Sequence, residues 1–338
     1  MSTAASCGPR LEHQTNTEVR LLKTEISTVA VVGAGYMGGG IAQVLAAGGV
    51  DVVIADADPD TTLRNHDRLL AEARDFEERN LVDAGFADRV AGHLTWAKSV
   101  EDAVRDADLI EEAVPEAPAI KSEVLRRIEA AARPDAVIAS NTSTIPIADL
   151  AANLSDASRF LGVHFSNPAP FIPGVELIAH AGTDESVIPA VEAMVARTGK
   201  LTARVNDKAG FVLNRLQYVL LKEAINLVEE GVATAEAVDI VVRTTFGYRL
   251  AFFGPFAIAD MAGLDVYRAC FGTLEQHYGD RLKAPAMLNE LVDAGRYGVK
   301  QGGGFVTQAG DQTELIAYRN TAYARLGQLL RELGPAPM

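Results

Sequence analysis

Two places in this 338-residue chain hold residue types whose spacing suits chemistry. The first is Gly33-Ala34-Gly35-Tyr36-Met37-Gly38, a GxGxxG loop lying between an apolar β-branched run and a helix-like stretch. In such a loop Gly33 permits a tight turn, Gly35 lets backbone approach a pyrophosphate, and Gly38 lets helix and strand pack closely. The helix that follows offers free N–H groups and a positive dipole end to phosphate. Asp56 closes the next apolar run. Its carboxylate suits a ribose 2′-hydroxyl and repels a 2′-phosphate, and Ala57 and Asp58 supply no compensating arginine, so NAD(H) is favoured over NADP(H). The second place is His164, in Phe160-Leu161-Gly162-Val163-His164-Phe165-Ser166-Asn167-Pro168. It falls near the end of a strand, where doubly wound folds open their ligand crevice, and Glu176 begins the next apolar run. The other five histidines, His13, His66, His93, His180 and His277, read as tail, helix or turn residues.

The elements that must position these groups are legible from pattern. Short apolar runs at Thr28–Val32, Val50–Ala55, Leu109–Val114, Ala136–Ala139, Phe160–Phe165, Val175–Ile178 and Leu201–Val205 read as parallel strands buried on both faces. Helical stretches separate them at Tyr36–Ala47, Asp60–Leu81, Ile120–Ala132 and Val187–Arg197. After Asn206 the strand pattern stops, and Phe211–Glu229 repeats its apolar residues with a helical period. Further helices are expected from Thr234 (as N-cap) to Thr245, and over Leu264–His277, Ala286–Asp293 and Glu314–Leu333. The fold class expected is α/β: a Rossmann-type doubly wound sheet followed by an all-helical C-terminal domain. The boundaries are 1–25 for a flexible tail, 26–206 for the dinucleotide domain and 207–338 for the helical domain.

Composition narrows the function classes. Hydrophobic residues at 48% and charged residues at 22% fit a globular protein with a full core. Lys plus Arg number 31 against 45 Asp plus Glu, and the net charge of -14 argues against nucleic acid and anionic membranes as partners. No uncharged apolar run approaches the roughly 20 residues that span a bilayer. The first 25 residues lack a secretory apolar core, and two cysteines, Cys7 and Cys270, make neither a disulfide framework nor a thiolate metal site. A cytoplasmic enzyme without a metal is the expectation.

Taken together, the motifs make the chain resemble the L-3-hydroxyacyl-CoA dehydrogenase family over roughly residues 27–306. The resemblance runs through GAGYMGGGIAQ from Gly33, SNTST from Ser140, HFSNPAP from His164, VELI from Val175, GFVLNRL from Gly210, GPF from Gly254, GLD from Gly263 and GVKQGGGF from Gly298. It implies a catalytic pair of His164 with Glu176, twelve positions on. It implies that Ser143 binds the reacting oxygen, with Asn167 and Asn214 as partners. Glu116, Lys121 and Asn141 are implied near the cofactor, beside Tyr36 and Met37 of the glycine loop. Oxidising a secondary alcohol removes a hydroxyl proton as hydride leaves the same carbon; an imidazole accepts that proton near neutral pH, and a carboxylate orients it. Asn214 is a poor helix former within a helical run, which fits a functional role. Because Ser143 and Asn214 are assigned to different domains, a site in the cleft between them is expected. The resemblance also implies a homodimer.

Two stretches depart from the family pattern. The helix after the second strand should meet the acyl carrier, yet it carries Glu72 at the family's serine position and Arg79 at its lysine position. Gly247-Tyr248-Arg249-Leu250-Ala251-Phe252-Phe253-Gly254-Pro255 is similar to relatives acting on free hydroxy acids, such as L-gulonate 3-dehydrogenase and carnitine dehydrogenase, and Arg249 suits a carboxylate clamp. The substrate expected is a 3-hydroxyacyl-CoA such as 3-hydroxybutyryl-CoA. The alternatives are a free or otherwise modified 3-hydroxy acid, or a non-catalytic NAD(H)-binding protein.

Overall fold

The computed structural model describes residues 25–337, so the segment expected to be a flexible tail lies outside the described residues apart from Glu25. Two compact units emerge, one ending at Val219 and one beginning at Leu220.

The first unit is built on eight strands: β1 (Thr28–Val32), β2 (Asp51–Ala55), β3 (Leu94–Trp96), β4 (Leu109–Glu112), β5 (Val137–Ser140), β6 (Phe160–Phe165), β7 (Gly174–Ala179) and β8 (Leu201–Asn206). They form one sheet in the order β3-β2-β1-β4-β5-β6-β7-β8. Its helices are α1 (Tyr36–Ala47), α2 (Pro59–Glu78), α3 (Phe86–His93), α4 (Val100–Val104), α5 (Pro118–Ala131), α6 (Ile147–Ala151) and α7 (Ile188–Ala196). The strands are apolar on both faces because both faces are covered. Val29 and Val31 of β1 join one core cluster with Ile41 and Leu45 of α1, while Ala30 and Val32 join the other with Leu125 and Ile128 of α5. Asp58 caps α2 by accepting from the Thr61 amide at 2.9 Å, and Pro59 sets its first turn.

The sheet departs from the all-parallel expectation at one place: β7 runs antiparallel to β6, and β8 then runs parallel to β7. Residues 166–173 are fewer than the dozen or more that a parallel crossover needs, so the chain turns back as a hairpin. That reversal puts His164 directly opposite Glu176.

The helix α8 (Leu213–Glu229) begins in the first unit and ends in the second. The second unit then holds α9 (Ala235–Thr244), α10 (Phe246–Leu250), α11 (Pro255–Ala262), α12 (Leu264–Tyr278), α13 (Ala286–Asp293) and α14 (Thr313–Leu333). Thr234 caps α9 as expected, accepting from the Ala237 amide. Leu264, Leu288 and Val292 form the unit's small core, packed by Tyr267, Phe271 and Phe305. Asp260 of α11 is fully buried and accepts from the amides of Phe305, Val306 and Thr307, which ties that helix to the glycine-rich segment after α13. Among the described residues no helix is long and apolar enough to cross a membrane.

Candidate active site

The dinucleotide loop folds as its residue types dictate. Gly33 has φ of +96°, and a Cβ there would lie 2.8 Å from the Ala113 carbonyl carbon, so only glycine fits. A Cβ on Gly38 would lie 1.9 Å from the Gly33 carbonyl oxygen. Gly35 has nothing within 4 Å of its would-be Cβ, leaving its backbone open to the space beside it. A cavity of about 430 Å³ opens there, lined by Gly33, Gly35, Met37, Asp56, Glu116, Asn141 and Ser143 among others. Asp56 accepts from the Ala34 amide at 3.0 Å and from Asn65 Nδ2 at 3.1 Å on one oxygen, and from the Ala57 amide on the other. The glycine turn and this acid at its rim fit a dinucleotide carrying a free ribose diol.

A second cavity, about 470 Å³, shares Met37, Asn141 and Ser143 with the first and adds His164, Asn167 and Asn214. His164 is 4% exposed. Its Nδ1 lies 2.8 Å from Glu176 Oε2, and its Nε2 lies 3.3 Å from Ser143 Oγ. Glu176 Oε1 accepts from the amides of Val212 and Leu213, both at 3.0 Å. Burial pushes the Glu176 carboxyl up, but the His164 hydrogen bond and the two amides outweigh it and hold it below the usual carboxylate range. An ionised Glu176 accepts from Nδ1–H, which leaves Nε2 as the basic nitrogen facing Ser143.

The remaining walls are fastened by hydrogen bonds. Asn214 Nδ2 donates to the Ser143 carbonyl at 2.9 Å. Both residues belong to the first compact unit. The bonds of Glu176 to Val212 and Leu213 fix the start of α8 to the sheet. Asn141 Oδ1 accepts from the Phe165 amide at 2.8 Å, joining the ends of β5 and β6. Glu116 Oε1 gathers Thr142 Oγ1 and the amides of Ser143 and Thr144 at 2.8–3.0 Å. Burial raises that carboxyl, while the Thr144 amide, Thr142, the Ser143 amide and Lys121 together lower it further than burial lifts it.

Residues 28–208 match the family profile described as the 3-hydroxyacyl-CoA dehydrogenase NAD-binding domain, and residues 210–308 match its C-terminal domain. The chain belongs to the 3-hydroxyacyl-CoA dehydrogenase family. It is similar to 3-hydroxybutyryl-CoA dehydrogenase of Mycobacterium tuberculosis, at 37% identity over 289 residues, covering 83% of this chain and 98% of that one. It is equally similar to 5-formyl-3-hydroxy-2-methylpyridine 4-carboxylate 5-dehydrogenase of Mesorhizobium japonicum, at 37% identity over 294 residues, 86% of this chain and 94% of the relative. A solved structure of a 3-hydroxyacyl-CoA dehydrogenase from Archaeoglobus fulgidus superimposes with a TM-score of 0.74 at 32% identity, covering 91% of this chain and 99% of that one. The Rossmann-type sheet, the NAD cofactor and the oxidoreductase class follow from this membership.

Within this 3-hydroxyacyl-CoA dehydrogenase family member, some expected residues stand back from the cavities. Lys121 is 1% exposed and lines neither; its ammonium is spent on Glu112 (2.9 and 3.1 Å) and the Val114 carbonyl (3.2 Å), with Glu116 at 3.4 Å. Tyr36 instead lines a neighbouring apolar cavity of about 280 Å³ with Gln43, Glu72, Phe76 and Phe171. Glu72 pairs there with Arg68 at 2.7 Å. Arg79, the exposed C-cap residue of α2, is bonded to Asp75 at 3.1 Å and lines none of these cavities. Arg249 belongs to the second unit.

Two contributors escaped the sequence reading. Glu112 is fully buried at the end of β4; besides Lys121 it takes Ser140 Oγ at 2.6 Å and the Val114 amide at 2.8 Å, fixing the segment against which Gly33 packs. An acid inside an apolar strand run was its available sign. Arg68 reaches from α2 to the carbonyls of Ala34 and Gly35 and so buttresses the glycine loop. Nothing in its exposed-looking helix context announced that. Among the described residues no group of His, Cys, Asp and Glu could hold a metal ion.

Proposed function

We propose that this dehydrogenase interconverts a 3-hydroxyacyl-CoA, such as 3-hydroxybutyryl-CoA, and the corresponding 3-oxoacyl-CoA, with His164 as general acid and base. One observation carries this reading: His164 is held at Nδ1 by Glu176 and presents Nε2, beside Ser143 Oγ, to a cavity that adjoins the dinucleotide cavity. Bound NAD would supply the acceptor for the hydride leaving C3. As the C3–O bond becomes a carbonyl, the hydroxyl proton passes to His164 Nε2. Glu176, kept ionised by the Val212 and Leu213 amides, stabilises the imidazolium. Ser143 Oγ holds the reacting oxygen, and Asn214 holds Ser143 in place through its carbonyl. In the reverse direction the imidazolium returns its proton to the ketone oxygen. Asn167 lines the same cavity and would contact the acyl portion.

A second reading keeps this chemistry on a free or otherwise modified 3-hydroxy acid. Two features of α2 favour it: Glu72 occupies a cavity wall and Arg79 is spent on Asp75, leaving that face poor for phosphates. The Mesorhizobium relative named for a pyridine carboxylate also stands behind it. Oxidation of NADH by acetoacetyl-CoA, compared with free 3-oxo acids, separates the two. Turnover with acetoacetyl-CoA is expected; turnover with the free acids alone overturns the CoA assignment. We further propose a homodimer, supported by the exposed apolar residues Leu216, Tyr218, Val219 and Leu220 along α8; light scattering on a sizing column giving one protomer mass would refute it.

A further inference from the structure

Three cations of the first unit meet at a cavity of about 460 Å³ that shares no lining residue with the two cavities of the candidate active site. It lies where the carboxyl end of α1 meets α3 and the turn from α7 to β8. Val44, Leu81, Phe86, Arg89, Arg197 and Lys200 are on its wall. Among the described residues none of the three cations touches a carboxylate. Arg89 donates to the carbonyls of Ala47 at 3.0 Å and Ala84 at 3.4 Å, and Arg197 to those of Ile26 at 3.3 Å and Gly49. Lys200, nine-tenths buried, donates to the carbonyls of Ala169 and Ile172, both at 2.6 Å, which leaves one ammonium N–H unspent. Burial lowers the pKa of Lys200, and no acid offsets it. Elsewhere in the same unit Arg127, Arg133 and Arg204 each sit on a carboxylate. The contrast stands out in a chain with 45 acids to 31 lysines and arginines.

Charge selects among the anions that could settle there. Asp83 is the one acid on the wall, since Glu77, which feels Arg89, is off it and spent on the amides of Gly85 and Ala87. The carboxyl end of α1 adds about half a negative charge, so the wall keeps an excess of about one and a half positive charges. A phosphate monoester carries about −1.5 to −2 at pH 7, and guanidinium forks match its oxygens. Shape selects further. Val44, Leu81 and Phe86 are apolar, and Leu81 is 45% exposed, so the organic body of an ester covers what inorganic phosphate leaves wet. At about 30 Å³ for each water-sized group, the space suits a ligand of about fifteen non-hydrogen atoms. We propose that this cavity is a binding site for a phosphate monoester with an apolar one- or two-ring body, with Arg89, Arg197 and Lys200 as its countercharge. The assignment requires neither the hydride chemistry argued above nor a substrate that carries CoA.

The test is calorimetric titration of the full-length protein, saturated with NAD so that the dinucleotide loop is filled, with 1-naphthyl phosphate, inorganic phosphate and 1-naphthol. The wild type should bind 1-naphthyl phosphate saturably and at least tenfold more tightly than either of the others. Arg89→Met and Arg197→Met should each weaken that binding at least fivefold, and Arg197→Lys should retain part of it. Leu81→Glu, which puts an acid on the wall at an exposed position and removes no cation, should weaken it by a similar factor. Saturating coenzyme A should leave it unchanged. Thermal melts matching the wild type keep a loss of binding from being a loss of fold; should an arginine variant unfold, Leu81→Glu carries the test. Absence of saturable binding, equal binding by the wild type and the variants, tighter binding of inorganic phosphate, or displacement by coenzyme A would each overturn the proposal.

Discussion

His164–Glu176 and Lys121–Glu112 are both acid–base pairs buried near the carboxyl ends of strands in the same sheet, yet they are finished differently. The lysine of the second pair meets both oxygens of Glu112, the Val114 carbonyl and Glu116. The histidine of the first pair gives one nitrogen to its acid and turns the other toward Ser143 and the cavity. A pair with every donor consumed is a strut. A pair with one valence left over can exchange a proton. The two pairs differ less in burial than in which of their atoms remain unspent.

That comparison breaks most sharply at His164. His164→Ala should lower kcat by roughly a hundred- to ten-thousand-fold while leaving NADH affinity, read by fluorescence quenching, within about twofold; unchanged turnover would make this pair a strut as well. Lys121→Met should do the opposite. It leaves Glu112 buried without its cation and should cost about 3–5 kcal/mol in urea unfolding, with Glu112→Gln added to it restoring much of the loss. A full loss in the double variant would mean that the ammonium packs rather than pairs.

Glu176→Gln sharpens the comparison through pH. The folded carboxyl sits below its ordinary value of 4.5, so its contribution to stability is present above that value and is lost as pH falls through the folded one. The urea midpoint of the variant should fall below that of the wild type at pH 7 and converge with it in acid; a gap independent of pH would place the effect in packing. The smallest effect is expected one residue from Glu112. Glu111 points to the opposite face of β4, is 1% exposed, and its Oε1 has no partner among the described residues. Burial, then the neighbouring Glu112, pushes its carboxyl well above 4.5. The unfolded chain thus releases that proton first, and stability declines as pH rises from about 4.5. Glu111→Gln should raise the melting temperature by a few degrees at pH 7, corresponding to about 1 kcal/mol, and by nothing at pH 4.

Much of the fold could be read from local pattern because the inner strands are apolar on both faces. Thr28–Val32 and Phe160–Phe165 coincide with β1 and β6, and Ala286–Asp293 with α13. The three-residue edge strand β3 and the short helices α4, α6 and α10 were too brief to carry a period. The reversal at β7 was hidden because an apolar run has no direction; only the length of residues 166–173 betrayed it. At the site, His164, Glu176, Ser143 and Asn214 were legible as candidates, and the structure brings them together, while their bonding was not legible. Nothing in the sequence told that Asn214 would hold the Ser143 carbonyl, or that Lys121 would be consumed by Glu112. Strand pairing and burial decide such matters, and both join residues far apart in the chain.

The hairpin that sets His164 against Glu176 makes their pairing depend on alignment rather than on count. Sliding β7 by a single position along β6 would swing its acid to the far side of the sheet. Lengthening the turn between them would not. The twelve-position interval is therefore a by-product of how long that turn happens to be, and a chain with extra residues inserted there would preserve the pair while reshaping the cavity wall that Asn167 and Ile172 form.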